Sequence, residues 1–238
     1  MSIRQSRIAQ LKKLDPGLEV FGARLHRYET HPVSLDEMVQ FESALGVALP
    51  DQYRKHLLSV GYGAGPCYGL YSPKTILENL LYAYKEWEED PEDLGPTPSP
   101  GIEFPFTRID AQRIREAVVA GNRWACGTAI YPSNGAIPIG TRGCSYDTML
   151  VTAGEPRGTV WDVDQDGAWR DEAVVDRNPS TWASATWRPA LPTSMVAGGI
   201  GMKQQLFDSG LPTFDEWFDD WLVDTTAYLV DRATSVKR

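Results

Sequence analysis

The chain has 238 residues, of which 42 % are hydrophobic and 23 % are charged, so it can bury a sizeable core without a metal or a disulfide. Its three cysteines, Cys67, Cys126 and Cys144, are widely spaced and include no C-x-x-C pair, which argues against a disulfide framework and a structural zinc site. The formal net charge is −9 and the pI is near 4.9. Long-range repulsion therefore disfavours nucleic acids and anionic membranes as partners and favours basic proteins, although solubility alone would also account for this charge.

The first 33 residues are predicted to contain one clear helix. Residues 2–14 form a short basic amphipathic segment. Residues 18–33 match neither the helix pattern nor the strand pattern of apolar residues, and they end at His31-Pro32. The opening residues have no apolar signal-peptide core, and no run of the chain approaches the roughly 18 apolar residues of a membrane helix. We therefore expect a cytoplasmic protein.

Residues 34–71 are predicted to form two helices, a glycine-rich turn and a strand. Ser34 and Glu37 match a capping box, in which each side chain bonds the other residue's backbone N–H. Apolar residues then recur at helical spacing. Gly46 suits the left-handed position after a helix, and Pro50 suits the first turn of the next helix.

The middle of the chain is predicted to be helical on both sides of a loop. Apolar residues at positions i, i+3 and i+4 predict a long helix that starts near Ser72 and runs into the acidic stretch 86–93. The Pro- and Gly-rich residues 95–101 are predicted to form an exposed loop. Residues 110–120 are predicted to form a shorter helix.

Four short β-rich runs follow, bounded by Gly, Pro and Asn; they are 124–131, 136–139, 148–152 and 158–163. Their close spacing predicts a mostly antiparallel sheet, because parallel neighbours need long crossover connections. Residues 167–210 are predicted to be irregular, as an insertion or a long loop. A final helix is predicted to begin at a second capping box, Thr213 with Glu216.

The sequence offers little support for catalysis. None of the three histidines, His26, His31 and His56, lies near a Gly-x-Ser-x-Gly elbow, and His56 is predicted to be solvated or half-buried. Cys144 has no histidine paired with it by any sequence signal and is predicted to be a small buried residue. The glycine turn, residues 61–65, matches neither a P-loop nor a dinucleotide fingerprint, so we interpret it as a tight backbone reversal. We predict that the chain is not an enzyme.

One short motif resembles the start of a calcium-binding loop. Asp162, Asp164 and Asp166 alternate ahead of a glycine, as hard-cation ligands do in such loops. The twelfth position should be a bidentate Glu but is Ala173, and a strand rather than a helix precedes the motif. A calcium site is therefore the weaker alternative to an acidic hairpin tip, and we predict no bound metal.

The acidic residues cluster, whereas the basic residues are scattered. The clusters lie at 86–93, 162–176 and 208–224. If they converge in the fold, they form a surface suited to a basic partner; if they point apart, they are solvated loops and one helix face.

Three blocks in chain order resemble a known family. They are FESALGVALPDQYRKHLLSVGYGAGPCYGLYS, IGTRGCSYDTMLVTAGEPRGTVWDVDQDG and TFDEWFDDWL. These blocks are similar to the SUKH superfamily, named partly for a fungal cell-wall regulator of the Smi/Knr type and populated mainly by bacterial immunity proteins. The structural-motif positions singled out in the three blocks are Gly46, Pro50, Tyr53, Gly61, Gly69, Gly143, Gly158, Trp161, Trp217 and Trp221.

The resemblance implies an α+β fold with a central, mostly antiparallel sheet flanked by helices, and no cofactor. It implies one SUKH-like domain over residues 1–238, with an N-terminal helical extension (about 1–33) and an irregular insertion (about 168–210). Bacterial members are typically immunity proteins that bind a cognate toxin, often a nuclease. A basic toxin is thus the expected partner, with no nucleic acid and no membrane.

Combining this resemblance with the acidic clusters gives a set of candidate partner-binding residues: Tyr62, Tyr68, Glu86, Glu88, Glu89, Asp90, Asp162, Asp164 and Asp166. The sequence leaves two other hypotheses open. The chain could be a regulatory interaction scaffold, as the fungal relatives are, or a binding module that depends on a metal at Asp162, Asp164 and Asp166.

Overall fold

The computed structural model of the protein describes residues 1–89, 97–167, 170–177, 184–190, 193–196, 199–202 and 211–235. Its helices are α1 (Ile3–Leu14), α2 (Ala23–His26), α3 (Leu35–Leu45), α4 (Asp51–Ser59), α5 (Pro73–Glu89), α6 (Arg108–Val119) and α7 (Phe214–Ser235). Its strands are β1 (Thr30–His31), β2 (Tyr62–Gly63), β3 (Cys126–Ile130), β4 (Ala136–Gly143), β5 (Tyr146–Val151), β6 (Val160–Asp164), β7 (Ala173–Asp176), β8 (Ser184–Pro189), β9 (Thr193–Val196) and β10 (Gly199–Met202).

The helix-capping residues predicted from the sequence make the expected contacts. Ser34 and Glu37 form a reciprocal capping box at the start of α3, and Gly46 ends that helix in the left-handed conformation. Thr213 and Glu216 exchange the same pair of bonds at the start of α7. Each box satisfies backbone donors that the first turn of a helix cannot pair within itself.

The central sheet has six strands in the order β4-β5-β6-β8-β3-β7. Every neighbouring pair is antiparallel except β3 with β7, so the predicted α+β fold with a mostly antiparallel sheet is confirmed. Two small antiparallel sheets, β1-β2 and β9-β10, accompany it.

Helices cover both faces of this sheet. The larger core lies on one face and contains buried side chains from α1, α3, α4, α5 and α7, together with Ile137, Leu150 and Val160 of the sheet. The smaller core lies on the other face, where Trp161 and Trp187 pack with residues of α6 and the segment before it. Successive residues of a strand point to opposite faces, which places Val160 and Trp161 in different cores.

The prediction that residues 167–210 are irregular is wrong where the chain forms β7, β8, β9 and β10. Strand β8 lies inside the central sheet, between β6 and β3. Both of its faces are buried, with Ala185 and Trp187 on one face and Thr186 and Arg188 on the other. Polar residues on a buried face remove the apolar signal of an interior strand, and the prolines on either side of this strand favoured a loop.

The glycine turn joins the small β1-β2 sheet to the edge of the central sheet. Leu70 bridges Gly63 of β2 and Gly140 of β4. Gly61 has φ of 101°, and a Cβ placed on it would lie 2.1 Å from the carbonyl carbon and oxygen of His31. Only glycine fits this close approach, so the predicted structural role of the turn is confirmed.

Polar contacts hold the chain reversal between α3 and α4, which lies in the first sequence block, and join it to the second block. The Glu42 carboxylate accepts hydrogen bonds from the Leu49 backbone N–H (3.0 Å) and from Arg54 Nε (3.2 Å). From the β5–β6 connection, Arg157 Nη2 donates to the carbonyl oxygens of Ala48 (3.0 Å) and Leu49 (2.8 Å). These contacts fix the chain reversal between α3 and α4 against the β5–β6 connection.

Candidate partner-binding surface

Two of the predicted partner-binding residues, Asp162 and Asp164, are not on the surface. They lie in β6 with 1 % and 0 % of their area exposed, so the prediction that they contact a partner is wrong. The error has a simple cause: the sequence pattern predicted a hairpin tip at these residues, whereas β6 extends to Asp164. Asp166 follows the strand and is exposed.

The same residues are occupied by internal contacts that disfavour calcium. Asp162 Oδ2 lies 2.9 Å from Arg142 Nη2, and this pair is almost fully buried. Asp164 Oδ1 accepts from Ser145 Oγ (2.8 Å) and from the Asp166 backbone N–H (3.1 Å). In the described part of the chain, no three His, Cys, Asp or Glu side chains are grouped as metal ligands would be. The calcium alternative is not supported at Asp162, Asp164 and Asp166, because a cation there would compete with the Arg142 guanidinium.

The acidic stretch at the end of α5 is described only in part. Glu88 is exposed near the end of the helix. The side chains of Glu86 and Glu89, and the whole of Asp90, lie outside the described residues. Of these four candidates, Glu88 is therefore the one that can be assigned to the surface.

The acidic face of α7 is partly neutralised from within the chain. Arg4 of α1 lies 2.7 Å from Asp215 and 2.8 Å from Asp219. These pairs join the two terminal helices, and α1 also contributes Ile8 and Leu11 to the larger core. We therefore assign the Asp215–Asp219 face to packing between α1 and α7.

The two tyrosines of the predicted set are half-buried and lie in different surroundings. Tyr68 packs on Phe21, with ring centroids 5.0 Å apart, and a Cβ on Gly143 would lie 2.7 Å from the Tyr68 ring. Tyr62 packs on His31, with ring centroids 5.2 Å apart. Tyr62 also lines a groove.

This groove, which we call the α3–α5 groove, encloses about 630 Å³ between those two helices. Its lining residues are Pro32, Val33, Glu37, Gln40, Phe41, Ala44, Tyr62, Ser72, Pro73, Lys74, Leu77, Glu78 and Leu81. The lining positions recur once per helical turn, from Glu37 to Ala44 on α3 and from Pro73 to Leu81 on α5, so the groove extends for about 10 Å along each helix. Leu81, one of these lining residues, is 66 % exposed.

Sequence reasoning missed this groove. The apolar stripe of α5 predicts one buried face, and Ile76, Leu80 and Trp87 of that stripe are buried. Leu77 is half-buried and Leu81 is exposed. The apolar stripe of α5 is wider than a single packing contact requires. This width was the signal that could have revealed a second apolar surface.

Two buried histidines and one buried cysteine are held neutral. Burial lowers the pKa of His56 to about 3 and that of His26 to about 4. His56 is thus buried, and the prediction that it is solvated or half-buried is wrong. Burial raises the pKa of Cys67 to about 11, which disfavours its reactive thiolate. Cys144 is exposed rather than buried as predicted.

The helices that the structure describes include none with both the length and the apolar character of a membrane span. Comparison with protein-family models matches residues 32–181 to the SMI1 / KNR4 family (SUKH-1). Comparisons with curated proteins and with solved structures found no significant match. The matched region runs from the residues before α3 through β7, so it includes the first two sequence blocks, the groove and most of the central sheet, while the third block lies beyond it. Because this region is more than half of the chain, the protein belongs to the SMI1/KNR4 (SUKH-1) family.

Proposed function

We propose that the protein is a cytoplasmic immunity protein that binds a cognate polymorphic toxin and neutralises it without catalysis. The observation that carries the proposal is the family match over residues 32–181, because bacterial proteins of this superfamily are typically immunity proteins. The family membership also supports a non-catalytic role.

The charge of the chain favours a basic toxin, of which a nuclease is the leading candidate. A nuclease active site grips phosphates with basic side chains, and a partner of net charge −9 is attracted to such a site and associates with it faster. Neutralisation then needs only occlusion: the immunity protein occupies the surface that the nucleic acid would use. Among the candidate partner-binding residues whose side chains the structure describes, Glu88, Asp166, Tyr62 and Tyr68 are accessible enough to take part.

Co-expression tests this proposal. We expect one product of the genes beside this chain's gene to be toxic when expressed alone and harmless when this chain is expressed with it. Pull-down of an inactivated form of that toxin should recover a stable complex. If no neighbouring product is toxic, or if the chain neither binds nor rescues, the proposal is wrong.

The alternative is a regulatory scaffold, a role attributed to the fungal relatives of the Smi/Knr type. It predicts binding to an endogenous, non-toxic protein. The same co-expression experiment separates the two, because a scaffold gives no protection against any neighbouring product.

A further inference from the structure

The α3–α5 groove has the features of a surface that binds a partner's helix. Its walls are two helices, and Glu37, Gln40, Phe41 and Ala44 line it from α3 at helical spacing. Across from them, Leu81 leaves 66 % of its area in water. Exposed apolar side chains beside a concave surface favour binding of apolar anchors.

The backbone around the groove does not favour the addition of a strand. Tyr62 and Gly63 pair with His31 and Thr30 of β1, and Gly63 also pairs with Leu70. The strand that reaches the groove is therefore already paired on both sides. Side chains at helical spacing, rather than free backbone groups, form the walls, and this arrangement suits the helix-in-groove mode of recognition.

The charges at the groove favour a basic occupant. Glu37 lies on α3 and Glu78 on α5, so each wall carries one carboxylate. Hydrogen bonds from the Ser34 backbone N–H and hydroxyl hold the Glu37 carboxylate and lower its pKa. Lys74 also lines the groove, and its Nζ lies 3.6 Å from Glu78. The lining thus has two negative charges and one positive charge, in a chain whose net charge is −9.

From these observations we infer that the α3–α5 groove binds a basic amphipathic helix of the toxin. This inference rests on the proposed function and adds the surface and the chemistry of the partner's segment. Two apolar side chains one helical turn apart would contact Leu77 and Leu81. A lysine or arginine beside them would reach Glu37 or Glu78.

The test uses the toxin encoded beside this chain's gene, inactivated in its own active site, as the calorimetric probe. Ala44→Arg and Leu81→Arg each place a bulky cation in the groove at a solvent-accessible position. Val39→Arg is the matched control, because Val39 is 55 % exposed and lies on the opposite side of α3. Each variant changes the net charge by the same amount, and urea unfolding checks that all three are folded.

If the inference is right, both groove variants bind the toxin at least about tenfold more weakly. They also lose protection in cells, while Val39→Arg behaves as the wild type. Glu78→Lys should also slow association, most strongly at low salt, because it reverses a charge at the rim. This variant adds no bulk to the apolar part of the groove and so tests the electrostatic part separately.

Three other outcomes would contradict the inference. If the wild type binds and the groove variants bind equally well, the groove is not the binding surface, although the immunity function stands. If the wild type neither binds nor protects, the proposed function fails and the inference fails with it. If sedimentation shows a dimer that only the groove variants dissociate, the occupant is a second copy of this chain instead.

Discussion

Arg142 and Asp162 form a buried ion pair across the central sheet. Their strands, β4 and β6, lie on either side of β5, and Arg142 Nη2 lies 2.9 Å from Asp162 Oδ2. Arg188 of β8 is the register partner of Asp162. Burial lowers the pKa of Arg188 to about 10, and the Asp162 charge opposes that shift. The Asp162 carboxylate therefore acts on two guanidinium groups, those of Arg142 and Arg188.

We expect Asp162→Ala to destabilise the protein by about 3–5 kcal/mol, because it leaves buried cations without this counter-charge. Asp166→Ala is the control, since Asp166 is exposed, and it should change the free energy of unfolding by less than about 0.5 kcal/mol. Urea unfolding of both variants measures the difference. Similar midpoints for the two would mean that the pair contributes nothing.

Replacing both partners tests whether the loss comes from the unbalanced charge. Asp162→Leu combined with Arg142→Met should cost less than Asp162→Ala alone, because the double variant leaves only Arg188, rather than both Arg142 and Arg188, without the Asp162 counter-charge. The same urea series measures this difference in the free energy of unfolding. A double variant less stable than the single variant would indicate that the ion pair itself, rather than charge balance, stabilises the sheet.

Calcium should leave the melting temperature unchanged. Asp162 is paired with Arg142, and Asp164 accepts hydrogen bonds from Ser145 and from the Asp166 backbone, so binding a cation would first require these contacts to break. A ligand that binds only the folded state raises the melting temperature of the protein, by an amount that grows with the ratio of free ligand concentration to Kd. Scanning calorimetry at millimolar calcium, with magnesium as the control, measures this. A calcium-specific rise of several degrees would restore the metal hypothesis.

The sequence predicted the parts of the fold that depend on local rules. Two residue pairs, Ser34 with Glu37 and Thr213 with Glu216, each predict a capping box from neighbouring residues alone. Both capping boxes are present. Strand β8 was missed because Thr186 and Arg188 look like loop residues until Asp162 is known to lie beside them in the sheet. That proximity is a tertiary property, and no window of neighbouring residues contains it.

The candidate surface was predictable only in part for the same reason. Charge counting locates acidic residues but not their exposure, so it groups Asp162 and Asp164 with Asp166 although strand β6 buries the first two. The α3–α5 groove depends on the distance between two helices separated by the glycine turn. Its apolar residues, such as Leu77 and Leu81, were visible as helix periodicity, but the gap between the helices was not.

Gly61→Ala should destabilise the protein more than the same change at Gly121. Both glycines have positive φ, 101° and 107°, so both substitutions carry a backbone cost of about 1–2 kcal/mol. A Cβ on Gly61 would also lie 2.1 Å from the His31 carbonyl, whereas nothing lies within 4 Å of one on Gly121. The difference between the two variants in urea unfolding isolates the steric part. Equal losses would show that the corner between the helices and the sheet can open at little cost.

The stability of the protein should fall as the pH falls from about 6.5 to about 4. The pKa of His56 is lowered to about 3 by burial and then by the charge of Arg4, while the nearby Asp219 opposes the shift. The pKa of His26 is lowered to about 4 by burial, against the charge of Asp15. In this window the unfolded chain binds protons that the folded chain does not, so the free energy of unfolding decreases with falling pH. Each histidine contributes at most about 1.4 kcal/mol per pH unit.

The slope of stability against pH, rather than stability itself, is the informative measurement for His56. The His56 ring packs on Phe218 with centroids 4.4 Å apart, so His56→Gln loses packing at every pH. The substitution also removes one titrating group, and it should therefore flatten the slope of stability against pH between pH 6.5 and 4.5. His31→Gln is the control, because His31 is exposed, and it should leave the slope near that of the wild type. Burial raises the pKa of Asp147, so this group contributes a slope of opposite sign. The contribution is the same in the wild type, His56→Gln and His31→Gln, and it cancels when their slopes are compared. If His56→Gln keeps the wild-type slope, the imidazole is accessible to protons in the folded state, and its burial between α4 and α7 is not maintained in solution.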